Sequence, residues 1–271
     1  MTVTAIPRVL TIGGSDSSGA AGIQSDLKTF EAHGVYGVSA LTVITAQNSL
    51  GIKSTRTMDA DFVTEQIEAV QELGISAVKT GLLLSEEIVV AVSRVLHTLN
   101  VPLIVDPVVV FGDGRKLTND ATIEAYKELL IPQAWLLIPN LYEAQILAGR
   151  PIRDTGSLCS AAKMLQGSGK AKNVLIKGDF IGGHQALDVF YDGSDCHMLS
   201  AERLPVHNPR GAGDAYASAI TAHLANGVDM LTAVQEAKRY VTATIQAASG
   251  WQIGAGKRSV LFHGVKKYDL P

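Results

Sequence analysis

Asn208-Pro209-Arg210-Gly211-Ala212-Gly213-Asp214 runs without a break into Ala215-Tyr216-Ala217-Ser218-Ala219-Ile220. Two glycines permit a tight turn whose backbone N–H groups converge on one point, and the helix that follows adds its unpaired amides and the positive end of its dipole. Such a junction attracts an anion. Asp214 puts a carboxylate beside a place built for negative charge, which suits a base working next to a travelling phosphoryl group. Asp is also among the preferred helix N-caps, and the segment alone leaves both readings open. Small residues at Ala215, Ser218, Ala219 and Ala222 let this helix lie close to its neighbours and fix its N-terminus.

Outward from that junction, 271 residues with 46% hydrophobic and 18% charged content can bury a large core, and one domain over 1–271 is expected. A formal charge of −3 gives no footprint for nucleic acid or an anionic membrane, so a phosphorylated ligand has to be held by local features. The two cysteines, Cys159 and Cys196, lack CxxC spacing and a histidine cluster, which suggests neither a disulfide framework nor a zinc site and makes a reducing cytoplasm the default. Met1–Pro7 has no secretory signal, and no apolar run approaches the roughly 20 residues that span a bilayer.

Short β-branched runs alternate with amphipathic helical stretches, the pattern of βα units stacked into a largely parallel sheet covered on both faces, so the class is α/β. Strands are expected at Arg8–Ile12, Ser39–Thr45, Ala77–Val78, Leu103–Val105, Trp135–Ile138 and Asn173–Ile176. Ser85 can cap a helix over Glu86–Leu99, and Phe62, Ile67 and Val70 repeat at helical spacing before Gly74. Ala186–Tyr191 and Cys196–Arg203 flank the turn cluster Asp192-Gly193-Ser194-Asp195 and predict an antiparallel edge pair. Two helices, Ala212–Ala225 and Leu231–Ala248, close the chain.

Polar groups gather where the strands end. Gly13-Gly14-Ser15-Asp16-Ser17-Ser18-Gly19-Ala20-Ala21-Gly22 is a strand-to-helix turn with little side-chain bulk to keep a ligand off the backbone; it matches neither GxGxxG nor a P-loop. Asp26 follows inside the next helix, pointing either toward a ligand or into water. Gln47 offers a donor and an acceptor to a flat heterocycle, or is an ordinary strand-end residue. Lys79, Asp106, Asn140 with Glu143, and Lys177 follow four separate apolar runs, and together they would collect carboxylates for Mg²⁺ and cations for phosphates. The seven histidines show no triad or metal spacing.

These residues resemble the ribokinase-like superfamily, and within it the hydroxymethylpyrimidine and phosphomethylpyrimidine kinases of thiamine synthesis. Matching pieces run from Leu10-Thr11-Ile12-Gly13-Gly14-Ser15-Asp16 and Ala21-Gly22-Ile23-Gln24-Ser25-Asp26 through Gly34-Val35-Tyr36-Gly37, Thr45-Ala46-Gln47-Asn48, Lys79-Thr80-Gly81, Asp106-Pro107-Val108, Pro139-Asn140-Leu141-Tyr142-Glu143 and Lys177-Gly178 to Gly211-Ala212-Gly213-Asp214. The resemblance implies a three-layer α/β/α ribokinase-like fold with a mostly parallel central sheet. It also implies a homodimer, the use of ATP and Mg²⁺, and phosphorylation of the hydroxymethyl group of 4-amino-5-hydroxymethyl-2-methylpyrimidine, with its monophosphate as a further candidate. Carried over by position, Asp26 and Gln47 would hydrogen-bond the pyrimidine, and Gly14, Ala21, Leu82 and Val108 would line its pocket. Asn140 and Glu143 would organise phosphate and Mg²⁺ beside Asp106, Lys177 would meet the ATP phosphates, and Gly211, Ala212 and Gly213 would form the anion hole.

Three departures stand out. Relatives usually read Thr-His-Gly-Thr-Gly-Cys where this chain has Pro209-Arg210-Gly211-Ala212-Gly213-Asp214; an ordinary carboxylate is ionised near neutrality and an ordinary thiol mostly is not. The usual Ala-Lys-Ser-Gly loop reads Phe111-Gly112-Asp113-Gly114, and Gly-His-Gly near the C-terminus reads Gly254-Ala255-Gly256. Arg210 is expected to restore positive charge beside the hole. Two rival readings are a pyridoxal or pyridoxine kinase, whose branch shares the Asp-containing motif, and a catalytically poor pyrimidine-binding protein.

Overall fold

Strands with apolar residues on both faces need cover on both sides, and two separate cores meet that need. Along β1 (Arg8–Asp16), Val9 packs with Phe30 and Ala222 on one face, whereas Leu10 and Ile12 join Val78, Val105 and Leu137 on the other. Ile104 and Leu103 divide in the same way on β5 (Leu103–Val105). The computed structural model describes residues 6–111, 114–178, 181, 183–206 and 209–265.

The remaining strands are β2 (Tyr36–Asn48), β3 (Gly51–Thr57), β4 (Ala77–Thr80), β6 (Leu136–Leu137), β7 (Val174–Lys177), β8 (Gln185–Tyr191) and β9 (Cys196–Glu202), in the sheet order β3-β2-β1-β4-β5-β6-β7-β8-β9. The six strands from β2 to β7 in that order pair in parallel, and antiparallel β3 and the β8–β9 hairpin extend the two sides. One layer holds α1 (Gly22–Ala32), α7 (Ala212–Ala225) and α8 (Met230–Ala247). The other holds α2 (Ala60–Gln71), α3 (Glu86–Leu96), α4 (Asp120–Ala125), α5 (Leu141–Ala148) and α6 (Thr155–Gly169). The class and the three layers are those expected.

Several expectations need correction. β2 runs three residues past each end of the expected Ser39–Thr45 and turns back as β3, whose residues after Gly51 are all exposed, so no buried face marked it in the sequence. Residues 112 and 113 of the variant loop lie outside the described residues. Cys159 and Cys196, expected to be unpaired, are joined in a disulfide with a Cα separation of 6.1 Å. The pairing had no signal in spacing, because 37 residues separate the two and only the packing of α6 beside the β8–β9 edge brings them together. Among the described residues no helix is long and apolar enough to cross a membrane.

Candidate active site

Parallel strands all end on one side, and the polar groups that follow them here surround a cleft of about 610 Å³. It is lined from β1 by Gly13–Asp16, from β2 by Thr45 and Gln47, from β4 and its loop by Lys79, Gly81 and Leu82, and from the ends of β5–β7 by Asp106, Val108, Asn140, Glu143 and Lys177. The start of α7 closes it with Pro209–Asp214.

Gly211 is the N-cap of α7 at φ 81°, a conformation that favours glycine, and a Cβ there would collide with the Ala20 carbonyl oxygen. Ala212, Gly213 and Asp214 form the first turn, so their amides have no partner within the helix, and all three residues line the cleft. The N-cap reading of Asp214 is thereby excluded: Asp214 is the third helical residue. Its side chain is 20% exposed; one oxygen accepts from Gly22 N at 3.2 Å and the other lies 3.4 Å from Lys79 Nζ. Lys177 Nζ reaches across the hole to within 3.3 Å of where a Cβ on Gly213 would stand.

Asp26 stands deeper in the wall than its neighbours. It lines the cleft, but at 1% exposure it does not point into water, and both of its oxygens already have partners within the protein. Oδ1 accepts from Lys79 Nζ at 2.6 Å and Ser218 Oγ at 2.7 Å, and Oδ2 accepts from Thr11 Oγ1 at 2.6 Å. Burial pushes its proton affinity up, to about 6, against the opposing pull of Lys79, so it remains a carboxylate at neutral pH. Lys79, with no exposed surface, would lose its proton more readily through burial, but Asp26 and Asp214 outweigh that and hold its pKa above the ordinary lysine value.

On the far side of the hole, Lys177 Nζ pairs with Asp106 Oδ1 at 3.0 Å. Asn140 caps α5, accepting from Glu143 N at 2.9 Å, while Glu143 Oε2 accepts from Asn140 N at 2.8 Å, a capping box that fixes both side chains at the cleft wall. Burial and then the Asp106 charge raise Glu143 to about 8, and burial raises Asp106 despite Lys177. The two buried carboxylates thus form an oxygen donor set in which the charge of Asp106 raises Glu143, with Lys177 beside Asp106 as its cation. Among the described residues no third acid or histidine completes a metal cage. That fits Mg²⁺, which is held by one or two carboxylates together with water and substrate phosphates.

Gly14, Ala21, Gln47, Leu82 and Val108 all line the cleft. Arg210 lines the cleft beside the hole, and its charge there is paired. Its guanidinium donates to Asp16 Oδ2 at 3.0 Å and to the Asn48 carbonyl at 2.9 Å, so it ties the hole to the β1–α1 turn and to the end of β2. Asp16 also accepts from Ser18 and from Ala21 N, making it the hub of that turn. Lys79, expected to follow a strand at Ala77–Val78, lies inside the four-residue strand Ala77–Thr80, which is buried throughout. Arg115 and Arg258 also line the cleft, with no sequence signal.

A family profile described as phosphomethylpyrimidine kinase matches residues 16–261. The hydroxymethylpyrimidine/phosphomethylpyrimidine kinase of Rhizobium meliloti (strain 1021) is 40% identical over 253 residues, covering 93% of this chain and 95% of that one. Among solved structures, the pyridoxal kinase from Staphylococcus aureus in complex with AMP-PCP and pyridoxal superposes with a TM-score of 0.87 at 33% identity, covering 96% of this chain and 94% of that one. The phosphomethylpyrimidine kinase from Clostridium difficile 630 does so with a TM-score of 0.79 at 35% identity, covering 88% and 99%.

Proposed function

The chain belongs to the phosphomethylpyrimidine kinase family, and on that premise we propose that it transfers a phosphoryl group from ATP to the hydroxymethyl group of 4-amino-5-hydroxymethyl-2-methylpyrimidine, in thiamine biosynthesis. The observation that carries the reading is the start of α7: a partly exposed carboxylate, Asp214, on the same cleft-lining helical turn as amides with no partner within the helix. Asp214 takes the hydroxyl proton as the alcohol oxygen bonds to phosphorus and the phosphorus–oxygen bond to the departing ADP breaks. The amides of Gly211–Asp214, with Lys177 beside them, receive the charge on the moving group. Asn140 and Lys177 flank the nucleotide phosphates, and Asp106 and Glu143 would hold Mg²⁺, whose charge offsets that of the phosphates when bound. Gly14, Ala21, Gln47, Leu82 and Val108 cradle the ring, with Gln47 as its hydrogen-bonding partner.

The test is Asp214→Asn. Removing a general base costs roughly 10²-fold or more in kcat, with KM for both substrates staying within a few-fold; near wild-type kcat would overturn the assignment. A second acceptor, pyridoxal, is favoured by the close superposition on a kinase bound to it, and side-by-side kcat/KM values on the two vitamins rank them. The same reading makes the enzyme a cytoplasmic homodimer; exposed Ile44 on β2, Leu50 in the turn that follows and Ile52 on β3 support the dimer, and sedimentation mass tests it.

A further inference from the structure

Lys79 takes no part in the chemistry assigned above, yet it is a charged side chain with no exposed surface, touching the carboxylate assigned as the base. An isolated ammonium in such a place is strongly unfavourable. Its partner Asp26 is itself anchored from two elements: Thr11 on β1, and Ser218, one helical turn beyond Asp214 on α7. The amine therefore has a fixed position relative to the start of α7. Its two distances are unequal, 2.6 Å to Asp26 and 3.4 Å to Asp214. Coulombic attraction falls with separation, and the shorter contact is also the stronger hydrogen bond. Lys79 thus gives most of its charge to Asp26 and a smaller share to Asp214. Gly22 N holds the second Asp214 oxygen from the side of α1.

We propose that Lys79 is a positioning residue for Asp214: a buried ammonium, shared unequally with Asp26, that fixes the orientation of the base and faces it with positive charge. The proposal rests on Asp214 being the base. It gives Asp26 the task of counter-ion in place of that of substrate ligand. The other titratable groups that act on Asp214 are Asp106 beyond β5, Lys177 on β7 and His263 in the C-terminal segment, and all three are left unchanged in the test.

The experiment measures single-turnover phosphorylation of the hydroxymethylpyrimidine against pH for three variants, each checked for folding by thermal melting. In Asp26→Asn the ammonium is released to Asp214, so the acid limb of the profile moves to lower pH, by on the order of one unit, and the plateau rate falls. In the double variant Asp26→Asn with Lys79→Met, both charges are replaced by neutral groups of similar size, so no lone charge is left buried; the acid limb then moves above the wild-type position. Opposite movements with an acceptor KM within about twofold of wild type are the expected result. Limbs that stay at the wild-type position while Asp214→Asn abolishes turnover overturn the role of Lys79 alone. A rise in acceptor KM for Asp26→Asn with an unmoved limb also overturns it, returning Asp26 to the pocket wall. If Asp214→Asn turns over normally, the base assignment itself has failed.

Discussion

Arg210 precedes the anion hole directly, and a sequence can say only that a cation stands there. In the fold that cation is a buried clasp with Asp16, with 9% and 5% of the two side chains exposed, and its second arm holds the Asn48 carbonyl. Arg210→Ala removes the clasp and leaves Asp16 with only its local donors. The expected outcome is a loss on the order of 2 kcal/mol in stability, read by urea unfolding. A rise in acceptor KM larger than any change in nucleotide KM should accompany it, because the β1–α1 turn forms the acceptor end. At this scale the sequence was a partial guide. Asp214, Asn140, Glu143 and Lys177 could be picked out because each follows a recognisable turn or strand. The task of Asp26 could not, since it depends on Lys79 and Ser218, which lie 53 and 192 residues away.

Elements were legible in proportion to how much apolar surface they bury. β5 is an unbroken apolar run and β4 and β7 each open with one before a lysine, so all three announce themselves, whereas β3 is stabilised by pairing with β2 and carries no buried face to read. The segment after α8 is a further case, with no regular structure yet closely held. Phe262 N donates to the Thr244 carbonyl, Tyr240 donates to the His263 carbonyl, and the His263 ring meets Ser25 Oγ at 3.0 Å. Burial, and then Lys28, lower the proton affinity of His263 to about 4. The unfolded chain, with an ordinary histidine near 6.5, takes up this proton first as pH falls. The contribution is therefore complete above about 6.5 and is lost as pH drops through about 4. Asp26 and Glu143, raised by burial, act in the opposite sense, but they are common to both proteins in the comparison. His263→Gln should show a smaller loss of urea-unfolding stability than wild type between pH 7 and pH 4.5.

Over the whole molecule, one sheet joins residues from Arg8 to Glu202, and α7 and α8 pack back on its middle, an arrangement for which we expect a single cooperative unfolding transition. The Cys159–Cys196 link ties the outer layer to the last strand across 37 residues. Closing a loop of that length contributes roughly 2–4 kcal/mol, so a reducing agent should lower the Tm of the wild type and leave Cys159→Ser unaffected.

The cradle at the start of α7 is made of main chain, wedged against the Ala20 carbonyl through a glycine. The side chain at 214 projects from it, with Gly22 N and Lys79 as its partners. A carboxylate or a thiol can therefore be mounted at that position as an interchangeable tool head, and chemical divergence among such enzymes requires no remodelling of the handle.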